Sequence, residues 1–96
     1  MKRSYIGKET LAVFEQSCVT LKYYILETEC EEDVENGCEE HIGYGVEIEK
    51  QDSARVEKSQ VKDITTDQTR IDNIVKSLMR NSVTPIHLHD VIADML

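Results

Sequence analysis

The stretch CVTLKYYILET, residues 18–28, constrains the fold more than any other. Valine, threonine, tyrosine and isoleucine suit a pleated surface. Val19, Leu21, Tyr23 and Ile25 alternate strictly with Thr20, Lys22, Tyr24 and Leu26. A period of two puts the first set on one face of a strand and the second on the other. HIGYGVEIEK, residues 41–50, repeats the pattern with Ile42, Tyr44, Val46 and Ile48. Between the two runs lies Asn36-Gly37, a pair suited to a tight hairpin turn. A two-residue turn at 36–37 sets Asp33 opposite Glu40 and Glu27 opposite Val46. Like charges facing each other across a ladder are unfavourable, so the reading expects a ragged, mobile tip and firm pairing nearer the core. Gly43 and Gly45 share one face of the return strand and leave room for a bulge or a close backbone approach.

Weaker strand signals flank this hairpin. ETLAVFEQ, residues 9–16, suits a strand or a short helix, and the β-rich run after it favours the strand. After a turn at residues 51–53, ARVEKSQVKDI, residues 54–64, reads as a polar edge strand.

From residue 65 the period changes. Ile71, Ile74, Val75, Leu78 and Met79 form one helical stripe. Thr65, Thr66 or Asp67 supplies the N-cap, with Thr65 and Gln68 spaced as a capping box. Asn81 suits a left-handed stop. A second helix follows, with Thr84 as cap, Pro85 at its first position and Val83 set to staple onto Leu88. Leu88, Val91, Ile92, Met95 and Leu96 make its apolar side. The expected architecture is therefore α+β: an antiparallel meander of three to four strands, then two C-terminal helices packed on one sheet face. One domain covers residues 1–96, with the sheet at about 9–64 and helices at about 67–80 and 85–95.

The segments YYILETE, YGVEIEK and VKDITTDQTRIDNIVKSLMRNSVTPIHLHDVIADML resemble a family of small proteins of clostridia-like Firmicutes, catalogued as a domain of unknown function. The resemblance spans roughly residues 20–96 and is densest over RNSVTPIHLHDVIADML. It implies a bacterial, cytoplasmic protein and supplies no activity, ligand or catalytic residue. The acidic stretch from Glu31 to Glu40 is longer here than that family's pattern.

Charge limits the partners. The net charge is −8, and residues 27–52 hold 11 of the 19 acids with Lys50 as their one basic residue. Such a field repels phosphate backbones, which argues against nucleic acid. Arg70, Lys76 and Arg80 lie on the outer side of the first helix, but the second helix would offer Asp90 and Asp94 to phosphates, so a DNA-reading helix pair is disfavoured. No apolar run approaches 18 residues, which argues against a membrane span. No apolar leader follows the opening MKRS, so a cytoplasmic location is expected.

Three cysteines at positions 18, 30 and 38 show no zinc spacing and fit reduced thiols, although Cys30 and Cys38 flank a turn. Cys18 or Cys30 with His41 and an aspartate makes a nominal nucleophile set, but no glycine-rich oxyanion loop accompanies it. The acidic segment lacks the rhythm of a calcium loop. His87, Asp90 and Asp94 fall within about 60° of arc on a helix, which is usable metal geometry. They lie opposite the apolar stripe, where a solvated polar face is the simpler account. His89 points instead towards the edge of that stripe and is expected to be half-buried.

No motif specifies a reaction, and no cofactor is implied. The sequence favours a non-catalytic protein-contact module, with a homodimer as the natural assembly. Its candidate contact residues are Tyr24 and Leu26 on the second sheet face, and Glu31, Glu32, Asp33 and Glu35 in the acidic hairpin. A metal-binding protein or metal-dependent enzyme built on His87, Asp90 and Asp94 is the alternative.

Overall fold

In the computed structural model the 18–28 run is the first part of a longer strand that continues to Val34. The structure describes the backbone of residues 2–14, 17–34, 37–52 and 55–95, and the side chains of these except 12–14, 17, 30–34 and 37–41. Four strands, β1 (Lys2–Phe14), β2 (Ser17–Val34), β3 (Gly37–Gln51) and β4 (Val56–Thr65), pair antiparallel in sequence order. Two helices follow, α1 (Gln68–Arg80) and α2 (Leu88–Met95), the second entered through a 3-10 turn, Pro85–His87. The expected α+β meander with two C-terminal helices is the observed fold.

The hairpin register differs from expectation. Val34 pairs with Gly37, so Glu27 faces Tyr44 and Asp33 faces Cys38. The expected turn at Asn36-Gly37 would have set Tyr23 opposite Lys50. The observed register instead pairs Tyr23 with Ile48 and Ile25 with Val46. Apolar cross-strand pairs over the core set the register, and the turn follows. The ladder also continues to its end, with Glu31 opposite Glu40 and Glu32 opposite Glu39, where a ragged tip was expected. The turn residue Glu35, with Asn36, lies outside the described residues.

β1 begins at Lys2, well before the expected start near residue 9. A bulge between Tyr5 and Gly7 hid it. Ser4 pairs with Ile25 and Gly7 with Tyr23, so the core-facing parity flips from even to odd numbers. No single alternation survives that flip.

On one side of the sheet Val19, Leu21, Tyr23, Ile25, Tyr44, Val46 and Ile48 meet Ile71, Ile74, Val75 and Leu78 of α1 and Leu88 and Ile92 of α2 in one core. Ile42, expected on that stripe, is exposed. Asp67 caps α1, its carboxylate accepting from the amides of Thr69 and Arg70. Thr65 is not the helix cap; its hydroxyl accepts from the Asp67 amide just before the helix begins.

The left-handed residue after α1 is Ser82 (φ 49°), not Asn81. The Val83 amide donates to Leu78 O and the Ser82 amide to Met79 O, the paired bonds of a Schellman stop. Asn81 satisfies the helix end from its side chain, donating to Ser77 O. Thr84 occupies the cap of the last segment with extended backbone but makes no side-chain cap bond. Pro85 then starts a tight 3-10 turn in which the His87 amide donates to Thr84 O. Val83 and Leu88, the expected staple pair, are both buried in the core. Tyr23, at the centre of the sheet, donates its hydroxyl to Val83 O at 3.0 Å and so ties β2 to the link between the helices.

Candidate interaction surface: the open face of the sheet

The second face of the sheet carries no helix and reads as four rows across the strands. From the pairing, these are Thr10–Thr20–Gln51–Val56, Lys8–Lys22–Glu49–Lys58, Tyr5–Tyr24–Glu47–Gln60 and Arg3–Leu26–Gly45. The last row ends where β4 leaves the ladder. Tyr44 pairs with Thr65 and Val46 with Val61, so β4 carries extra residues between them, including Asp63 at φ 55°. This bulge crosses over the two glycines. A Cβ on Gly45 would collide with Val61 O and lie 2.8 Å from Lys62 Cα, and one on Gly43 would strike the Asp63 carboxylate. The glycine pair therefore admits a backbone, as its placement on one face predicts.

With the bulge on this side and the helices on the other, residues 43–48 of β3 are buried on both faces. Leu26 is 0% exposed, which corrects the expectation that it looks out to solvent. Its neighbour across the ladder, Gly45, has no side chain to hold the β4 backbone away.

Beside Leu26 sits a polar cluster that alternation alone does not reveal. Glu47 is 2% exposed. Its Oε2 lies 2.6 Å from Arg3 Nε, but no N–H is aligned for a hydrogen bond to it, so charge alone compensates that oxygen. Gln60 donates its amide to Oε1. A buried carboxylate needs such compensation, because removing a charge from water is costly. The same guanidinium donates to Glu49 Oε2 at 3.2 Å and stacks 3.8 Å from the centre of the Tyr24 ring. Tyr5 meets Tyr24 edge-on at 5.6 Å. Tyr24 is half-buried and Tyr5 is 54% exposed. One arginine thus fixes two carboxylates and an aromatic pair in a single arrangement.

Over these four rows the charge is opposite in sign to that of the whole chain, while the same face continues along the hairpin with Glu32 opposite Glu39. Arg3, Lys8, Lys22 and Lys58 stand against Glu47 and Glu49, and Lys62 and Asp63 of the bulge add one of each sign. Lys58 Nζ approaches Glu49 at 4.0 Å. Lys8 and Lys22 are direct partners across the β1–β2 ladder, and neither forms an ion pair among the described residues.

On the helix side, burial pushes the Tyr23 phenol up to about 12, helped by the negative charge of Glu9. His87, Asp90 and Asp94 are all exposed, His87 in the 3-10 turn and the aspartates on α2. Among the described residues no group of three or more histidines, cysteines or carboxylates is arranged to hold a metal ion. His89 is exposed rather than half-buried, because the 3-10 turn resets the phase at which α2 begins. It lines a cleft of about 500 Å³ with Glu57, Lys58, Ser59, Pro85 and Ile86. A second cleft, of about 480 Å³, opens at Lys2, Glu27, Thr28, Glu29 and Ile42.

Cys18 is free and exposed. Cys30 pairs with His41 and Cys38 with Asp33. Three ladder steps, roughly 10 Å, separate the last two cysteines, beyond disulfide reach. The side chains of Glu31, Glu32 and Asp33 lie outside the described residues, although their backbone is part of β2. Among the described residues, no helix is long and apolar enough to cross a membrane.

Comparison with known proteins yields no matching curated protein and no matching solved structure. A family model does match, over residues 2–96, the whole of the sheet and both helices, and by that match the chain belongs to the Family of unknown function (DUF6514).

Proposed function

We propose that this protein is a non-catalytic contact module that acts through the open face of its sheet and associates with itself. The observation that carries this reading is the Arg3–Tyr24–Tyr5 cluster over buried Glu47. Such a cluster holds aromatic and guanidinium surface rigid, and rigid aromatic and arginine groups are the anchors of protein interfaces. Tyr24 remains the centre of this surface, while Leu26, in the next row of the same face, is buried. The acidic hairpin with Glu31, Glu32, Asp33 and Glu35 is the second contact element.

Addition of a strand at an edge is the weaker route. β1 and β4 each carry a bulge and at least two lysines, devices that discourage edge pairing. The resemblance to clostridia-like proteins supports a bacterial cytoplasm as the setting of this activity. Light scattering over a range of protein concentrations tests the reading. A mass that rises towards twice 11.0 kDa and is unmoved by chelator is expected. A monomeric mass at every concentration contradicts self-association.

A further inference from the structure

The sheet has two sets of ladder rungs that oppose like charges, and they are of opposite sign. Lys8 faces Lys22 on the open face. Glu31 faces Glu40, and Glu32 faces Glu39, near the end of the β2–β3 hairpin. Like charges directly opposite each other destabilise a ladder. The acidic rungs also lie where the sheet is narrowest. β1 starts opposite Glu27 and β4 ends opposite Tyr44. The six rungs from Glu29–Ile42 to Val34–Gly37 are therefore a two-stranded arm, roughly 20 Å long at 3.3 Å per residue. Residues 28–43 contain seven acids and neither lysine nor arginine. A two-stranded ribbon is marginal unless something packs on it.

Resting on the contact reading above, we infer that the open face of one copy is the seat for the acidic arm of a second copy, in a reciprocal two-fold dimer. Each arm extends from the same sheet that carries the face, so two copies laid face to face with strands antiparallel place each arm over the other's Lys8–Lys22 rung. The contact is isologous, as a two-fold requires. Arg3, Lys8, Lys22 and Lys58 supply the cations, and Tyr5 with Tyr24 supplies an apolar centre. By alternation the Glu32–Glu39 rung lies on the same face as Lys22, so docking sets one acidic rung against the Lys8–Lys22 rung and relieves both. It also explains how a chain of net charge −8 associates with itself, because its acids and its cationic face occupy different ends of one sheet.

Sedimentation equilibrium on the full chain tests this with two variants that repair a rung while removing charge from the interface. Lys8→Glu sets a carboxylate opposite Lys22. Glu39→Lys sets an ammonium group opposite Glu32. Each improves its own ladder, so each should hold or raise the Tm of dilute protein. Each should also weaken the dimer about tenfold or more, and raising NaCl from about 50 to about 500 mM should do the same to the wild type. Lys8→Gln and Glu39→Gln, which add no new charge, should follow with smaller effects and guard against misfolding of the first pair. A wild-type dimer left equally tight by all four variants overturns arm docking and leaves self-association intact. A wild type that stays monomeric overturns both.

Discussion

On the helix side of the sheet, Leu21, Tyr23, Val46 and Ile48 are covered by Ile71, Val75, Leu78 and Leu88, and the buried Tyr23 hydroxyl finds a carbonyl. On the open side, β3 is covered just as fully, but by a crossing backbone and an arginine clamped between two glutamates. The first side holds together by burial, which needs only apolar residues in phase. The second depends on specific partners and can be undone by removing one of them. A surface held rigid in that way is suited to recognition rather than to bulk stability.

Perturbing each side in turn should expose this difference. The largest effect is expected in the core. Leu78→Ala should cost about 2–5 kcal/mol in chemical denaturation, in proportion to the cavity it leaves. The helix side also has a pH signature. Tyr23 keeps its proton up to about 12 in the fold, against 10.0 in its ordinary state. The folded form therefore binds more protons between those values, and stability falls as pH rises through this window. The loss should reach about 2–3 kcal/mol above pH 12, and Tyr23→Phe should abolish that slope.

On the open side, Arg3→Ala should cost about 2 kcal/mol, because it strands the buried Glu47 carboxylate. Combining Arg3→Met with Glu47→Leu should recover most of that, since no charge is then left unpaired. If the double variant is no better than Arg3→Ala alone, the open side is held by burial too, and the contrast between the faces fails. The smallest effect is local to the helical roof. Asp67→Ala should remove about 1 kcal/mol by unsatisfying the Thr69 and Arg70 amides, without altering self-association.

What the sequence reveals follows the same division. Strict alternation marked β2 and β3, and the 3.6-residue stripe marked α1, because both record burial by apolar residues alone. The start of β1 escaped because the bulge at Ile6 flips its parity and its core positions there are Ser4 and Gly7. The register escaped because Asn36-Gly37 is a strong turn signal and the apolar pairs over the core outweigh it. Ser82 rather than Asn81 takes the left-handed stop, since Asn81 already caps the helix through its own amide. The glycine pair did announce the close backbone approach. The Arg3–Glu47 clamp left no periodic trace, because it joins residues 44 positions apart in sequence that meet only once β1 and β3 flank β2. Its one sequence signal was a glutamate inside the otherwise apolar YGVEI run.

Hydroxyl-radical footprinting of dilute and concentrated protein tests the central claim, that the open face is the contact surface, most directly. Tyr5 is 54% exposed on that face, and Ile86 is 78% exposed on the helix side as an internal reference. Tyr5 should become protected as concentration rises, while Ile86 reacts at an unchanged rate. Equal labelling of Tyr5 at both concentrations, or protection of Ile86 instead, would contradict the account.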